Sequence, residues 1–263
     1  MILFDRRQRI LHFVRERRGI RVIDLAQLLA VSEGTIRNDL TALEEEGLLT
    51  RVRGGAVPRE EHQFTNRSFG ERAQVNAVAK RRIARCAAHL VESGDSILLD
   101  ASTTVFAMVP FLRERRNLTV VTNGIEAGLA LAQDPSYTVI LVGGMIRPDG
   151  TSVVGHLGEK LLEDLHIKTA FVSCSGFSVD AGLTEVDLLE VQIKKRMIRS
   201  AERVVALVDS TKFGRVDLTS FAGLQQITHV FTDSDVAPSF AEALRRTCTR
   251  VTVCGEEGIS NPD

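Results

Sequence analysis

Residues 30–56 read AVSEGTIRNDLTALEEEGLLTRVRGGA. Ser32 has the side chain of a helix N-cap, and Gly47 suits the position just past a helix end. Between them Ile36, Leu40 and Leu43 recur at i, i+4 and i+7, which sets three apolar side chains on one face of a helix. Asn38 and Thr41 then point the opposite way, with Arg37 on one flank and Thr35 on the other. The continuation LLTRVRGGAVP alternates, turns at Gly54-Gly55 and stops at Pro58, the pattern of a β-hairpin. Upstream, residues 5–18 predict a helix capped by Asp5, with an apolar face of Ile10, Leu11 and Val14 and an end at Gly19. Val22, Leu25, Leu28 and Leu29 predict a short second helix. Residues 1–58 therefore read as a winged helix-turn-helix.

Such a unit enters the DNA major groove with the amino end of its last helix. Arg37 can bond a guanine bidentately, and Asn38 can pair with adenine. Ser32, Thr35 and Thr41 lie where hydroxyls reach phosphates or a thymine methyl. Arg51 and Arg53 on the hairpin can reach phosphates or the minor groove, because the guanidinium fork is planar and always charged. The bland alternative is a three-helix packing module with a solvated polar face. The order of three tight helices followed by a Gly-Gly hairpin favours DNA.

Further along, residues 59–68 (REEHQFTNRS) are polar and aperiodic, a linker. A helix is expected from about 69 to 91. From residue 96 the chain alternates strands and helices. Strands are expected at 96–100, 118–122, 138–142, 169–173, 203–208, 229–233 and 250–254. They are continuous apolar runs, as parallel strands buried on both faces require. Helical patterns lie at 103–113, 124–133, 186–201 and 238–247. Residues 69–263 thus predict a doubly wound α/β domain that senses a ligand and carries the subunit contacts. In such sheets ligands bind at the carboxyl ends of the strands. Here those ends carry ASTT, NG, GG, CSG and DSTK, short turns whose N–H groups and hydroxyls can cradle a phosphate or carboxylate. Lys212 would add a positive charge, and Asp100 can bond sugar hydroxyls.

Composition agrees with an ordinary globular chain: 263 residues, 44% hydrophobic and 25% charged. Residues 1–59 hold eleven arginines, no lysine and eight acids, a net +3, against −4 for the remainder. A basic head suits a polyanion. Cys86, Cys174, Cys248 and Cys254 form no C-x-x-C pair and complete no zinc spacing, so they read as reduced thiols and no metal site is expected. The amino terminus lacks a signal-peptide pattern, and no apolar run is long enough to cross a membrane. A cytoplasmic location is the expectation, with no cofactor.

VSEGTIRNDLTALEEEGLLTRVRGGA resembles the signature of the DeoR family of bacterial regulators. That family usually carries a second Arg where this chain has Asn38, and His where it has Arg53. LDASTT, VVTNG, LVGG, SVVGHLG, AGLTEVD and DSTKFG are similar to the family's effector domain, in the same order. The resemblance implies a fold like ribose-5-phosphate isomerase and glucosamine-6-phosphate deaminase. It also implies repression of a sugar or nucleoside catabolic operon, with operator release by a phosphorylated sugar. By position it implies effector contacts at Asp100, Ser102, Thr103, Thr104, Thr122, Asn123, Gly143, Gly144, Glu190, Asp209 and Lys212. Operators are pseudo-palindromes, so a homo-oligomer, dimer or larger, is expected.

Three rival readings stand beside this one. An enzyme would use Glu190 and Lys212, yet CSGFSVDAG lacks the dense acidic cluster of the isomerases, and no catalytic residue is assigned. A redox regulator would use Cys86, Cys174 or Cys254, with Cys174 at a strand end. An activator would share every feature of a repressor.

Overall fold

The computed structural model of the chain describes residues 3–16, 20–45, 48–52, 54–57, 68–247, 249–255 and 258–260. The chain divides into two compact units, Met1–Phe64 and Thr65–Asp263.

The first unit contains α1 (Leu3–Glu16), β1 (Ile20–Arg21), α2 (Val22–Leu29), α3 (Glu33–Glu45), β2 (Thr50–Val52) and β3 (Gly55–Val57). α1 begins at Leu3, so Asp5 lies inside the helix and not before it. Gly19, Gly47, Arg53 and Pro58 fall outside the described residues. Ser32 does cap α3, its Oγ accepting from the Thr35 N–H at 3.1 Å. β1 joins the hairpin to give a three-stranded sheet, β1-β3-β2, which the two-residue length of β1 hid from periodicity. Ile10, Val14, Leu25, Ile36, Leu40 and Leu43 are almost wholly buried and form one core, the residues that helical spacing places inward.

The second unit opens with α4 (Phe69–Gln74) and α5 (Ala77–Ala88), followed by β4 (Ser96–Leu99). One continuous helix over 69–91 is thus not what forms. The chain breaks at Asn76, which sits in the left-handed region at φ 54°, and Ser68 caps α4 in a capping box with Glu71. α6 (Thr103–Phe106), α7 (Val109–Leu112), β5 (Thr119–Thr122), α8 (Ile125–Leu131) and β6 (Thr138–Leu141) follow. Then come β7 (Met145–Ile146), β8 (Val153–Val154), α9 (His156–Glu163), β9 (Ile167–Val172), β10 (Gly176–Ser178), β11 (Gly182–Glu185) and α10 (Leu188–Arg199). The chain ends with β12 (Ala201–Leu207), β13 (Thr219–Ala222), β14 (His229–Asp233), α11 (Pro238–Arg245), β15 (Arg250–Gly255) and β16 (Gly258–Ser260).

The main sheet runs β16-β15-β14-β12-β9-β4-β5-β6. Its strands pair in parallel apart from β16, which is antiparallel to β15. Each parallel strand overlaps one of the apolar runs, as expected. β6 departs in one respect: at the sheet edge, Thr138 and Leu141 are exposed, so its apolar run is not buried on both faces. Alternate residues of β4 serve opposite cores. Ile97 and Leu99 pack with α5, α6 and α7 residues, while Leu98 packs with Ile193 and Met197 of α10. This is a doubly wound layer. The winding reverses between β4 and β9, whose carboxyl ends bound a crevice.

β10, β11 and β13 form a separate antiparallel sheet that the apolar runs do not reveal. Its tight corner depends on Gly182 at φ 67°, where an added Cβ would lie 2.0 Å from the Ala222 carbonyl oxygen.

Candidate operator face and effector site

On the first unit, the residues outward from the buried face of α3 collect with one arm of the hairpin. Ser32, Arg37, Asn38 and Arg51 are exposed, and Thr35 and Thr41 are half-buried. The Ser32 and Thr35 hydroxyls lie 2.9 Å apart. Arg51 donates from Nη1 to Thr41 Oγ1 at 2.7 Å, tying the hairpin to the helix. Arg37 pairs with Glu33 at 2.6 Å, one turn earlier on α3, an exposed contact that holds a side chain in place and adds little stability. Sequence reading passed over Asp39. It is buried and accepts from Arg6 Nε at 2.5 Å and Arg6 Nη2 at 3.2 Å, clamping α1 to α3 behind the polar face.

On the second unit, buried polar clusters stand at the carboxyl ends of the strands. Asp100, wholly buried after β4, accepts from the Ser102 N–H at 3.0 Å and the Ser173 N–H at 2.8 Å. Lys194 of α10 pairs with Asp100 at 3.2 Å and with Glu185 at 2.8 Å, and donates to the Ser173 carbonyl at 2.8 Å. Both Asp100 oxygens are thus committed across the β4–β9 crevice. Ser102 caps α6 by accepting from the Val105 N–H, with Thr103 and Thr104 buried in its first turn. Thr122 Oγ1 accepts from the Gly124 N–H at 3.0 Å. Asn123 is wholly buried and donates to the Val153 carbonyl at 3.3 Å, yet its Oδ1 has no hydrogen-bond partner among the described residues. Glu190 accepts a short hydrogen bond from Ser152 Oγ and another from Arg147 at 3.4 Å. Burial raises its carboxyl pKa above the usual range, against the nearby Lys194, Ser152 and Arg147. Gly143 is open to solvent, and Gly144 at φ 145° lets the backbone pass the Val154 carbonyl oxygen, where a Cβ would lie at 2.4 Å.

Asp209 follows β12 and is buried, accepting from Asn76 Nδ2 at 3.1 Å and from Thr211 Oγ1. Lys212, in the following turn, is half-buried, and burial pushes its ammonium pKa down. Lys80 of α5 is buried beside them and donates to the Arg72 carbonyl at 2.5 Å. Burial pushes its pKa down to about 8; Asp209 opposes the shift, while Lys212 and Arg72 deepen it. Arg72 has two buried guanidinium nitrogens, Nε and Nη2, without a hydrogen-bond partner among the described residues. Its nearest carboxylate is Asp149, at 3.9 Å. Through Arg72 and Asn76, the α4–α5 junction reaches both the Asp149 loop and the Asp209 turn.

Two family models cover these units. A DeoR-like helix-turn-helix domain matches residues 6–62, and the DeoR C-terminal sensor domain matches residues 75–234. The chain belongs to the DeoR family of transcriptional regulators. It is 37% identical over 252 residues to the HTH-type transcriptional regulator YulB of Bacillus subtilis, covering 96% of this chain and 97% of the relative. It is 35% identical to the lactose phosphotransferase system repressor of Streptococcus mutans, covering 87% and 91%. Among solved structures, ribose 5-phosphate isomerase A of Methanocaldococcus jannaschii matches at 13% identity and TM-score 0.40, over 70% of this chain and 98% of that one.

Of the sensor residues expected in this DeoR regulator, Asp100, Ser102, Thr122, Asn123, Asp209 and Lys212 follow the carboxyl ends of strands, and Glu190 lies in the first turn of α10. Gly143 and Gly144 shape a turn beside the β6 edge. Arg72, Asn76, Lys80, Arg147 and Lys194 were not legible as site residues. They come from helices and a hairpin whose sequence shows only ordinary surface charge; Lys80 within AKRRIA reads as one cation among three.

Proposed function

We propose that this DeoR regulator holds an operator with Ser32, Thr35, Arg37, Asn38, Thr41, Arg51 and Arg53. A phosphorylated sugar in the sensor releases it, in the manner of a repressor. The observation that carries the effector class is the Arg72 guanidinium, two of whose buried nitrogens have no hydrogen-bond partner among the described residues and which has only a 3.9 Å ion pair with Asp149, close to two buried or half-buried lysines. Buried donors lacking an acceptor are costly, and a phosphate dianion satisfies several at once. Arg72, Lys80 and Lys212 form the anion seat, with Asp209 and Asn76 holding it in shape. Asn123 and Glu190 meet the sugar hydroxyls, since the orphan Oδ1 of Asn123 needs a donor. Asp100 holds the crevice in shape through Ser102, Ser173 and Lys194, and its Oδ1 can accept one further hydrogen bond, from a sugar hydroxyl.

The seat binds and does not transform its ligand. Glu190 Oε1 accepts from Ser152 and Arg147, which holds the carboxyl in place as a binding group. The working species is a cytoplasmic homo-oligomer reading a paired operator, with 1–58 as head, 59–68 as linker and 69–263 as sensor. The name of the Streptococcus repressor, for a sugar phosphotransferase system, supports the sugar reading. Fluorescence anisotropy of a promoter fragment tests it: ribose 5-phosphate and related phosphosugars should include one that lowers affinity, while the parent sugars do not. Operator affinity unmoved by any phosphosugar, or turnover of one by pure protein, would sink the proposal. Cys174 is buried and burial pushes its thiol pKa upward, so Cys174→Ser should leave operator release intact.

A further inference from the structure

The far end of the sensor sheet carries a second opening. In the parallel β14–β15 ladder His229 pairs with Arg250 and Phe231 with Thr252, so these four side chains share the face that α5 covers. α5 ends at Ala88, and beyond it the amino ends of β14 and β15 are left as the floor of a cavity of about 500 Å³. Leu90 forms one wall, and Arg245, from the last turn of α11, another. Among the described residues no carboxylate lines this cavity, and both arginines are exposed. Phe231 and Leu90 give it an apolar surface. His229 stacks on Phe231 at 4.2 Å and bonds Thr252 Oγ1 at 2.8 Å. Burial, aided by Arg250, pushes its pKa down to about 4, so the imidazole is neutral and the charge here is that of the arginines.

We propose that this cavity is a second ligand site, for a small organic anion. The anionic group, a phosphate ester or carboxylate, lies between Arg245 and Arg250, and a flat apolar body rests on Phe231 and Leu90. Two guanidinium groups lining one cavity give it a positive field, and a planar anion there can use the donor forks of both. The volume falls within the usual range for small-molecule sites. The site lies at the amino ends of the strands, whereas the proposed effector seat lies at the carboxyl ends, so the two can fill independently and the protein can report on two metabolites.

Phenyl phosphate is a suitable probe, with a dianion for the arginines and a ring for Phe231. The full chain carrying Lys80→Gln, which disables the carboxyl-end seat, should bind it at one saturable site by titration calorimetry. Adding R245Q and R250Q should weaken that binding about ten-fold or more without moving the thermal midpoint. Absence of saturable binding, or binding that survives R245Q and R250Q, would overturn the second site. In otherwise wild-type protein the same two substitutions should leave phosphosugar binding unchanged, and its loss would reduce two sites to one.

Discussion

At the residue scale, the proposed function rests on a few side chains whose charge is unusually placed. Arg37 is exposed and, among the described residues, its side chain is held only by Glu33, so a base edge can recruit it at little cost. Arg37→Ala should weaken operator binding by about 1–3 kcal/mol and relax preference at one base pair, measured by anisotropy against a panel of single-base variants. Wild-type affinity for that variant would remove α3 from the groove. Lys80 makes a pH prediction. Its folded pKa, about 8, lies below its unfolded value, so the charged form costs stability below pH 8. That cost disappears as pH rises from 8 toward the unfolded value, and the free protein gains stability over this window. An anion needs the charged form, so effector affinity should fall as pH climbs through 8, and Lys80→Met should abolish both trends in thermal-shift titrations. Arg37 was legible because helical spacing alone turns it outward. Lys80 was not, because its neighbours Asp209 and Lys212 lie far along the chain.

At the scale of elements, local pattern and tertiary context compete. The parallel strands were legible because burial on both faces writes an unbroken apolar run. The single helix expected over 69–91 fails at Asn76, which adopts a left-handed backbone while its side chain donates to Asp209 and Thr211. The break lets α4 lie where Arg72 meets the Asp149 loop. The β10–β11–β13 sheet was missed because its strands hold only three or four residues each. Its corner yields a prediction: Gly182→Ala combines a strained φ with a backbone clash, and should destabilise the sensor by roughly 1–3 kcal/mol or more. Urea unfolding followed by circular dichroism would measure it, and an unchanged midpoint would contradict the geometry.

At the scale of the whole molecule, head and sensor have separate cores, Ile36 and Leu40 in one and Leu98 and Phe171 among those of the other. A chain lacking residues 1–58 should therefore fold, stay oligomeric and bind its phosphosugar, while losing the operator entirely; sedimentation and calorimetry would check this. A fall to monomers would move the subunit contacts to the head. The periodicities of 3.6 and 2 depend only on neighbours along the chain, so sequence by itself determined the winged helix-turn-helix, its outward arginine and the α/β layering. Which cations converge, which carboxylates are used up and where a cavity stays open depend on residues distant in the chain meeting in space. Only the tertiary structure could bring Arg72 and Lys80 to Lys212, commit Asp100 to Lys194, and leave Arg245 and Arg250 facing one hollow, because burial and Coulomb energy follow distance through space and not order along the chain.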